Sequence, residues 1–157
     1  MSKGYKVIYI DEMCSTRSTY PKLEWTPTNM RFVVDRRSQF NDTIATVAAI
    51  SHDGGLELAH HHERSINAPK FKAFIEELRV LNKNKRIVLF MDQLGVHRSK
   101  MVTKTMKRLH LKVIFNAAYS PQFNPIEMAF ADVKRMIKVG RIKALANELK
   151  VTNLSLI

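Results

Sequence analysis

Two rhythms of apolar and polar positions divide this chain. Residues 5–11, Tyr-Lys-Val-Ile-Tyr-Ile-Asp, form a dense β-branched and aromatic run, which predicts a strand buried on both faces. Residues 30–35 and 43–52 predict two further strands, with a Ser-, Thr- and Pro-bearing loop over 14–29. Asp53-Gly54-Gly55 predicts a hairpin turn into a short strand at 56–60. The rhythm then changes. Phe71, Phe74, Ile75, Leu78 and Leu81 recur at helical spacing, and Pro69 marks the start of that helix. Residues 86–92 are a continuous apolar run, the pattern of a parallel strand covered on both sides. Residues 99–110 predict a second helix, with Val102, Met106 and Leu109 on one stripe and Lys100, Lys104, Lys107 and Arg108 on another. A last strand follows at 111–117. A third helix opens at Asn124-Pro125 with Ile126, Phe130, Val133 and Ile137 inward, and a shorter, weaker helix frays beyond Gly140. Three antiparallel strands, then two strands joined by helical crossovers, predict a mixed α/β sheet flanked by helices.

Composition narrows the picture. A length of 157 residues with 45% apolar content suits one domain with a real core, and five Gly and five Pro exclude collagen-like or low-complexity chains. The single cysteine, Cys14, excludes an internal disulfide and a cysteine-built zinc site, and inert chemistry is expected of it. No apolar run approaches the ~20 residues of a membrane span, and the first residues lack a signal-peptide core. An intracellular location is expected: the nucleus in a eukaryote, otherwise the cytoplasm or nucleoid.

Charge points to a partner. Lys and Arg number 26 against 14 Asp and Glu, a net +12, which favours nucleic acid, with an acidic membrane surface as the rival. Between Asp92 and Glu127 there is no acid, while Arg98, Lys100, Lys104, Lys107, Arg108 and Lys112 are all basic. Lys134, Arg135, Lys138, Arg141 and Lys143 follow Glu127. Two acids thus sit inside a basic stretch.

Those acids invite a chemical reading. Asp11 and Asp92 each terminate an apolar strand. On neighbouring strands they would lie side by side at the carboxyl end of the sheet, where α/β folds place their sites. A divalent cation would relieve their repulsion, and all-oxygen ligands favour Mg2+ or Mn2+. Taken singly, each aspartate also fits a strand-end turn. Glu127 stands at the third position of a helix begun by Asn124 and Pro125, so a capping box competes with a ligand role. It shares a helix face with Lys134 and Lys138. Glu12 points to the opposite side of its strand from Asp11 and reads as structural. Trp25 reads as a packed aromatic. His60, His61, His62 and Glu63 alternate faces on a strand, so an exposed polar segment fits better than a metal site.

The string Asn116-Ala-Ala-Tyr119-Ser120-Pro121-Gln-Phe-Asn124-Pro125-Ile126-Glu127 resembles the third catalytic motif of the Tc/mariner superfamily of DNA transposases and their bacterial insertion-sequence relatives. Met91-Asp92-Gln93-Leu94-Gly95-Val96-His97 resembles the second motif, with Gln93 where the family usually has Asn, and Ile10-Asp11-Glu12 resembles the first. Thirty-four residues separate Asp92 from Glu127, a spacing that family uses, and the resemblance spans roughly residues 5–140. It implies an RNase H-like fold over a single catalytic domain, residues 1–157. It carries the catalytic, metal-holding acids onto Asp11, Asp92 and Glu127. It further implies two Mg2+ ions, replaceable by Mn2+, about 3.5–4 Å apart. Their work would be hydrolysis at element ends, then attack of the freed 3′-hydroxyl on target DNA.

By the same resemblance His97 would contact the scissile phosphate or a metal-bound water, although a helix-start residue fits equally well. Arg98, Lys100, Lys104, Lys107, Lys134 and Lys138 would contact phosphates of double-stranded DNA, and the DNA complex would hold a homodimer, with no membrane partner. The family's N-terminal helix-turn-helix modules have no counterpart before the first catalytic strand. Two rivals remain: a non-catalytic DNA-binding or domesticated remnant, and a stand-alone RNase H-like nuclease.

Overall fold

The structure is a computed structural model and describes residues 4–16, 43–118 and 120–154, with side chains through Gly140. Chain order is β1 (Lys6–Ser15), β2 (Ile44–Ser51), β3 (Gly55–Glu63), α1 (Ala68–Leu81), β4 (Ile87–Met91), α2 (Lys100–Arg108), β5 (Lys112–Phe115), a short 3-10 turn (Pro121–Phe123) and α3 (Ile126–Leu154). The strands form one five-stranded sheet in the order β3-β2-β1-β4-β5. β1, β2 and β3 pair antiparallel, while β4 and β5 run parallel to β1. The expected mixed sheet is therefore present. Its third antiparallel strand is the hairpin extension; the strand expected at 30–35, and Trp25, lie outside the described residues.

Pairing lengthens two strands beyond their local sequence signals. Cys14 and Ser15, expected in a loop, continue β1 because they pair with Ala45 and Ile44 of β2. β3 runs on to Glu63 because His60 to Glu63 complete the ladder against β2. Strand alternation then sorts β1 into two faces. Ile8 and Ile10 join Val47, Leu89 and Met91 under α1 and α2, which contribute Phe71, Phe74, Ile75, Leu78, Val102 and Met106. Met13 and Ala48 lie on the other face under Ile126 and Phe130 of α3.

The helices begin largely as the sequence predicts. Asn67 caps α1 by accepting from the Lys70 N–H at 3.1 Å, and Pro69 stands in the first turn. Ser99 caps α2. Three expectations fail at helix ends. Leu81 is exposed, because α1 stops at Asn82 after its last inward position, Leu78. Val133 is exposed and Ile137 half-buried, so only Ile126 and Phe130 carry the inward stripe of α3. α3 also continues unbroken through Gly140 to Leu154. A lone helical glycine costs only about 1 kcal/mol, and the Ala, Leu, Lys and Glu residues after it favour helix. None of the described helices is long and apolar enough to cross a membrane.

At the amino end of β1 a buried ionic group ties four elements together. Lys6 donates to Glu57 of β3 and to Asn82 at the end of α1, and Glu57 also accepts from Ser51 and Asn82. The hairpin closes tightly over it. Gly55 has a left-handed φ of 65°, and a side chain at Gly54 would run into the Glu57 carboxylate. Burial opposes the charge on Lys6, but the Glu57 hydrogen bond overrides it and holds the ammonium above its usual range. Burial likewise works against Glu57, and the Lys6 and Ser51 hydrogen bonds overcome it to hold the carboxyl below its usual range.

Lys6→Met should therefore leave an uncompensated carboxylate and cost about 3–5 kcal/mol. Lys6→Met with Glu57→Gln, which keeps an acceptor for Ser51 and Asn82, should recover most of that loss. The Glu57 contribution is present above the ordinary carboxylate pKa and is lost as pH falls through its lowered value. Chemical denaturation at pH 7 and pH 3 checks both points: the double variant should lose less stability than the wild type on acidification.

Candidate active site

The parallel register pairs Tyr9 with Phe90, and their rings meet edge to face at 5.6 Å on the α3 side of the sheet. Two residues further on, alternation returns Asp11 and Asp92 to that same side at the carboxyl end. Asp11 lies within β1 and is 8% exposed. One of its oxygens accepts from the Glu12 N–H at 2.7 Å, and the other accepts from the Asn124 side-chain amide at 3.2 Å. Asp92 is more open. Its Oδ1 accepts from the Leu94 N–H at 3.1 Å and lies 2.8 Å from His97 Nδ1.

Asn124 does not cap α3 as the sequence suggests. A 3-10 turn precedes it and its backbone is extended, which turns the side chain inward to the Ile10 carbonyl and to Asp11. Its backbone carbonyl instead accepts from the Glu127 N–H at 3.1 Å. The capping-box alternative for Glu127 also falls away. Glu127 is half-buried, and its carboxylate engages no hydrogen bond or ion pair among the described residues. It is close enough to be felt at Asp11. Burial chiefly, with added repulsion from Glu127 and Asp92, raises the Asp11 carboxyl to about 6.

His97 is fully buried, two residues before the N-cap of α2, as the helix-start alternative has it. Its ring packs on Phe71 at 4.3 Å, with Asp92 Oδ1 at one nitrogen and Glu12 Oε1 3.3 Å from the other. Burial lowers its affinity for a proton, but the Glu12 hydrogen bond and the Asp92 charge outweigh that and raise its pKa. As an imidazolium it donates to both carboxylates. Glu12, which the sequence assigns a structural role on the opposite face, is thereby the far support of Asp92. Gln93 donates to the Asn116 carbonyl at 3.1 Å, so the longer amide stitches the loop after β4 to the end of β5.

The basic residues divide into two groups. Arg98, Lys100, Lys104 and Lys107 are exposed at or along α2, on one side of the sheet. Lys134 is exposed and Lys138 half-buried on α3, on the other side. The acids stand at the edge between them. In β3, His60 and His62 share one face and His61 the other, where it bonds Thr46. Cys14 is exposed; Tyr119 lies outside the described residues.

The three acids offer hard oxygen donors in mutual repulsion, which fits a divalent cation. They are not drawn to ligation distance: among the described residues no three His, Cys, Asp or Glu side chains form a metal-binding group.

The sequence profile described as DDE superfamily endonuclease matches residues 6–150. The chain belongs to that family. Solved structures give the same fold. The paired-end complex of Mos1 transposase with the left transposon end matches with TM-score 0.67 and 17% identity, over 92% of this chain and 47% of that one. The pre-cleavage Mos1 transpososome matches with TM-score 0.67 and 17% identity, over 92% and 48%. The catalytic domain of Mos1 mariner transposase matches with TM-score 0.62 and 16% identity, over 92% and 69%. This DDE endonuclease chain thus spans about half the length of the transposase chains in those complexes. No curated protein matches it significantly. The RNase H-like architecture implied by the three motifs agrees with these likenesses.

Two outcomes are expected. Asp11→Asn should stabilise the metal-free protein at pH 8 by up to about 3 kcal/mol, since ionising a carboxyl raised from 3.8 to about 6 costs that much. The gain should vanish near pH 4, where the folded wild type already keeps its proton. Thermal melts with chelator across that range test it, and no gain at pH 8 contradicts it. Glu12→Gln should destabilise by about 1–3 kcal/mol at pH 6. That loss should shrink as pH rises through the elevated His97 pKa, where the imidazolium is lost in any case; a loss equal at pH 6 and pH 9 contradicts it.

Proposed function

We propose that this DDE endonuclease domain cleaves phosphodiesters of double-stranded DNA in a divalent-metal-dependent reaction and transfers a freed 3′-hydroxyl to a second DNA, as a transposase does. The observation that carries the reading is geometric: β1 and β4 pair in parallel, so Asp11 and Asp92 come to the same end of the sheet, and the Asn124 side chain ties Asp11 to the start of α3, three residues before Glu127. Asp11, Asp92 and Glu127 would hold two Mg2+ ions, or Mn2+ in their place. Bound there, such ions activate a water or 3′-hydroxyl and stabilise the leaving oxygen. The Mos1 paired-end complex with Mn, and the Mos1 catalytic domain with Raltegravir and Mn or Mg, support this reading.

The chain's own residues set the geometry. Asn124 fixes one oxygen of Asp11 and the Glu12 N–H the other, so that carboxylate cannot rotate freely. The His97 imidazolium, backed by Glu12, fixes Oδ1 of Asp92 and leaves Oδ2 without a protein partner among the described residues. Glu127 enters from α3 as the adjustable third acid. Arg98, Lys100, Lys104 and Lys107 on one side, with Lys134 and Lys138 on the other, flank the edge where a scissile phosphate would lie. Each phosphate contact would add salt-sensitive, sequence-independent affinity. Mos1 transposase forms a paired-end complex with the left transposon end and a strand transfer complex; for this chain, end recognition and a homodimer on DNA are part of the same proposal.

A Mg2+-dependent nicking assay on duplex DNA tests the reading. Asp92→Asn and Glu127→Gln should each lower the rate on the order of 10³-fold, about 4 kcal/mol of barrier, with DNA affinity retained. Nicking unaffected by Asp92→Asn would overturn it. Binding without nicking in the wild type would favour a DNA-binding remnant.

A further inference from the structure

At the opposite end of the sheet from the acids lies a cavity of about 330 Å³ whose lining includes Tyr5, Arg79, Lys85, Arg86, His110 and Lys112, and no acidic residue among the described residues. These residues come from four places: the start of β1, the end of α1, the loop into β4, and the corner between α2 and β5. Arg79 anchors that loop by donating to the Asn82 and Lys85 carbonyls at 3.0 and 3.1 Å. Lys112 sits 4.3 Å over the Tyr5 ring. No salt bridge among the described residues engages Lys85, Arg86 or Lys112. Elsewhere in the molecule acids do pair with cations: Lys6 with Glu57, Lys72 and Arg108 with Glu76. Lys85, Arg86 and Lys112 are exposed, and cations gathered at one end of the sheet without acidic partners raise the local positive potential that attracts an anion.

Position supplies the second argument. α2 leaves the acid end of the sheet at Ser99 and must return to the start of β5, so it runs back along the sheet toward this cavity. Its exposed Lys100, Lys104 and Lys107 lead from the acids to His110 and Lys112 at the cavity. The separation of the two ends, six residues along β4, is roughly 20 Å, or about six base pairs of duplex.

We propose that this cavity is a second phosphate-binding site, which grips the backbone of duplex DNA whose cleaved bond lies at Asp11, Asp92 and Glu127. Lys85, Arg86 and Lys112 neutralise successive phosphates, and the α2 lysines bridge the two ends. The proposal rests on the endonuclease reading and adds to it a register for the flanking duplex.

The test compares the wild type with Lys85→Ala/Arg86→Ala on a duplex of about 40 base pairs, by fluorescence anisotropy from about 50 to 200 mM salt. Both residues are exposed, so the fold should be kept; the charge-conserving pair Lys85→Arg/Arg86→Lys controls for this. The alanine pair should bind about tenfold more weakly at low salt, with a slope of log affinity against log salt smaller by about 2. The conserving pair should match the wild type. Equal affinity and slope in the alanine pair overturn the proposal, and Mg2+-dependent nicking by the wild type would then leave the endonuclease reading standing. A wild type that neither binds nor nicks DNA overturns both. A thermal shift with pyrophosphate that the alanine pair abolishes, with the DNA slope unchanged, assigns the cavity to a small phosphate compound and overturns the DNA assignment.

Discussion

The parallel ladder between β1 and β4 is the constraint on which the rest depends. Its register lays Tyr9 against Phe90, and strand alternation then puts Asp11 and Asp92 on one face and Glu12 on the other. A slip of one residue would send Asp11 into the apolar layer under α1 and α2, and Ile10 out toward α3. The two cores prevent this, since Ile8, Ile10 and Met91 are fully buried on their side while Met13 is buried on the other. Packing therefore fixes the chemistry without any direct contact between the acids.

Charge placement follows a consistent logic. At the amino end of the sheet Lys6 and Glu57 neutralise each other, and every partner oxygen and amide is used. At the carboxyl end the acids are left in repulsion, and among the described residues the charge that offsets them is His97, from the rear. That asymmetry is costly for a metal-free fold and reasonable for one that meets cations and phosphate there.

Much of this was legible in the sequence, for identifiable reasons. The runs at 7–10 and 87–91 announce strands because they are continuously apolar, and the aspartates that follow them mark the candidate site wherever those strands pair. The Tyr119–Glu127 string carries Glu127. What could not be read depends on contacts distant in the chain. Asn124 has the sequence context of a cap, yet 113 residues away Asp11 needs a donor and takes it. Glu12 is placed correctly by alternation, but its bond to His97 crosses 85 residues and leaves no local trace. His97 looks accessible in a Gly- and Leu-bearing loop, and only the position of Phe71 shows it to be enclosed. The end of the inward stripe on α3 depends on where the sheet stops, which helical periodicity does not encode.

The two layers that hold the acids differ greatly in depth. Asp92, through His97 and Phe71, is tied to the large layer beneath α1 and α2, whereas Glu127 is carried by a patch whose buried members, among the described residues, are Met13, Ala48, Ile126 and Phe130. A patch that small opens locally at a lower free energy than the whole molecule. Under the proposed function, heating or mild denaturant would then displace Glu127 while the sheet stays intact, and cooling would return it without refolding: loss of the proposed activity and unfolding part company along the seam beneath α3.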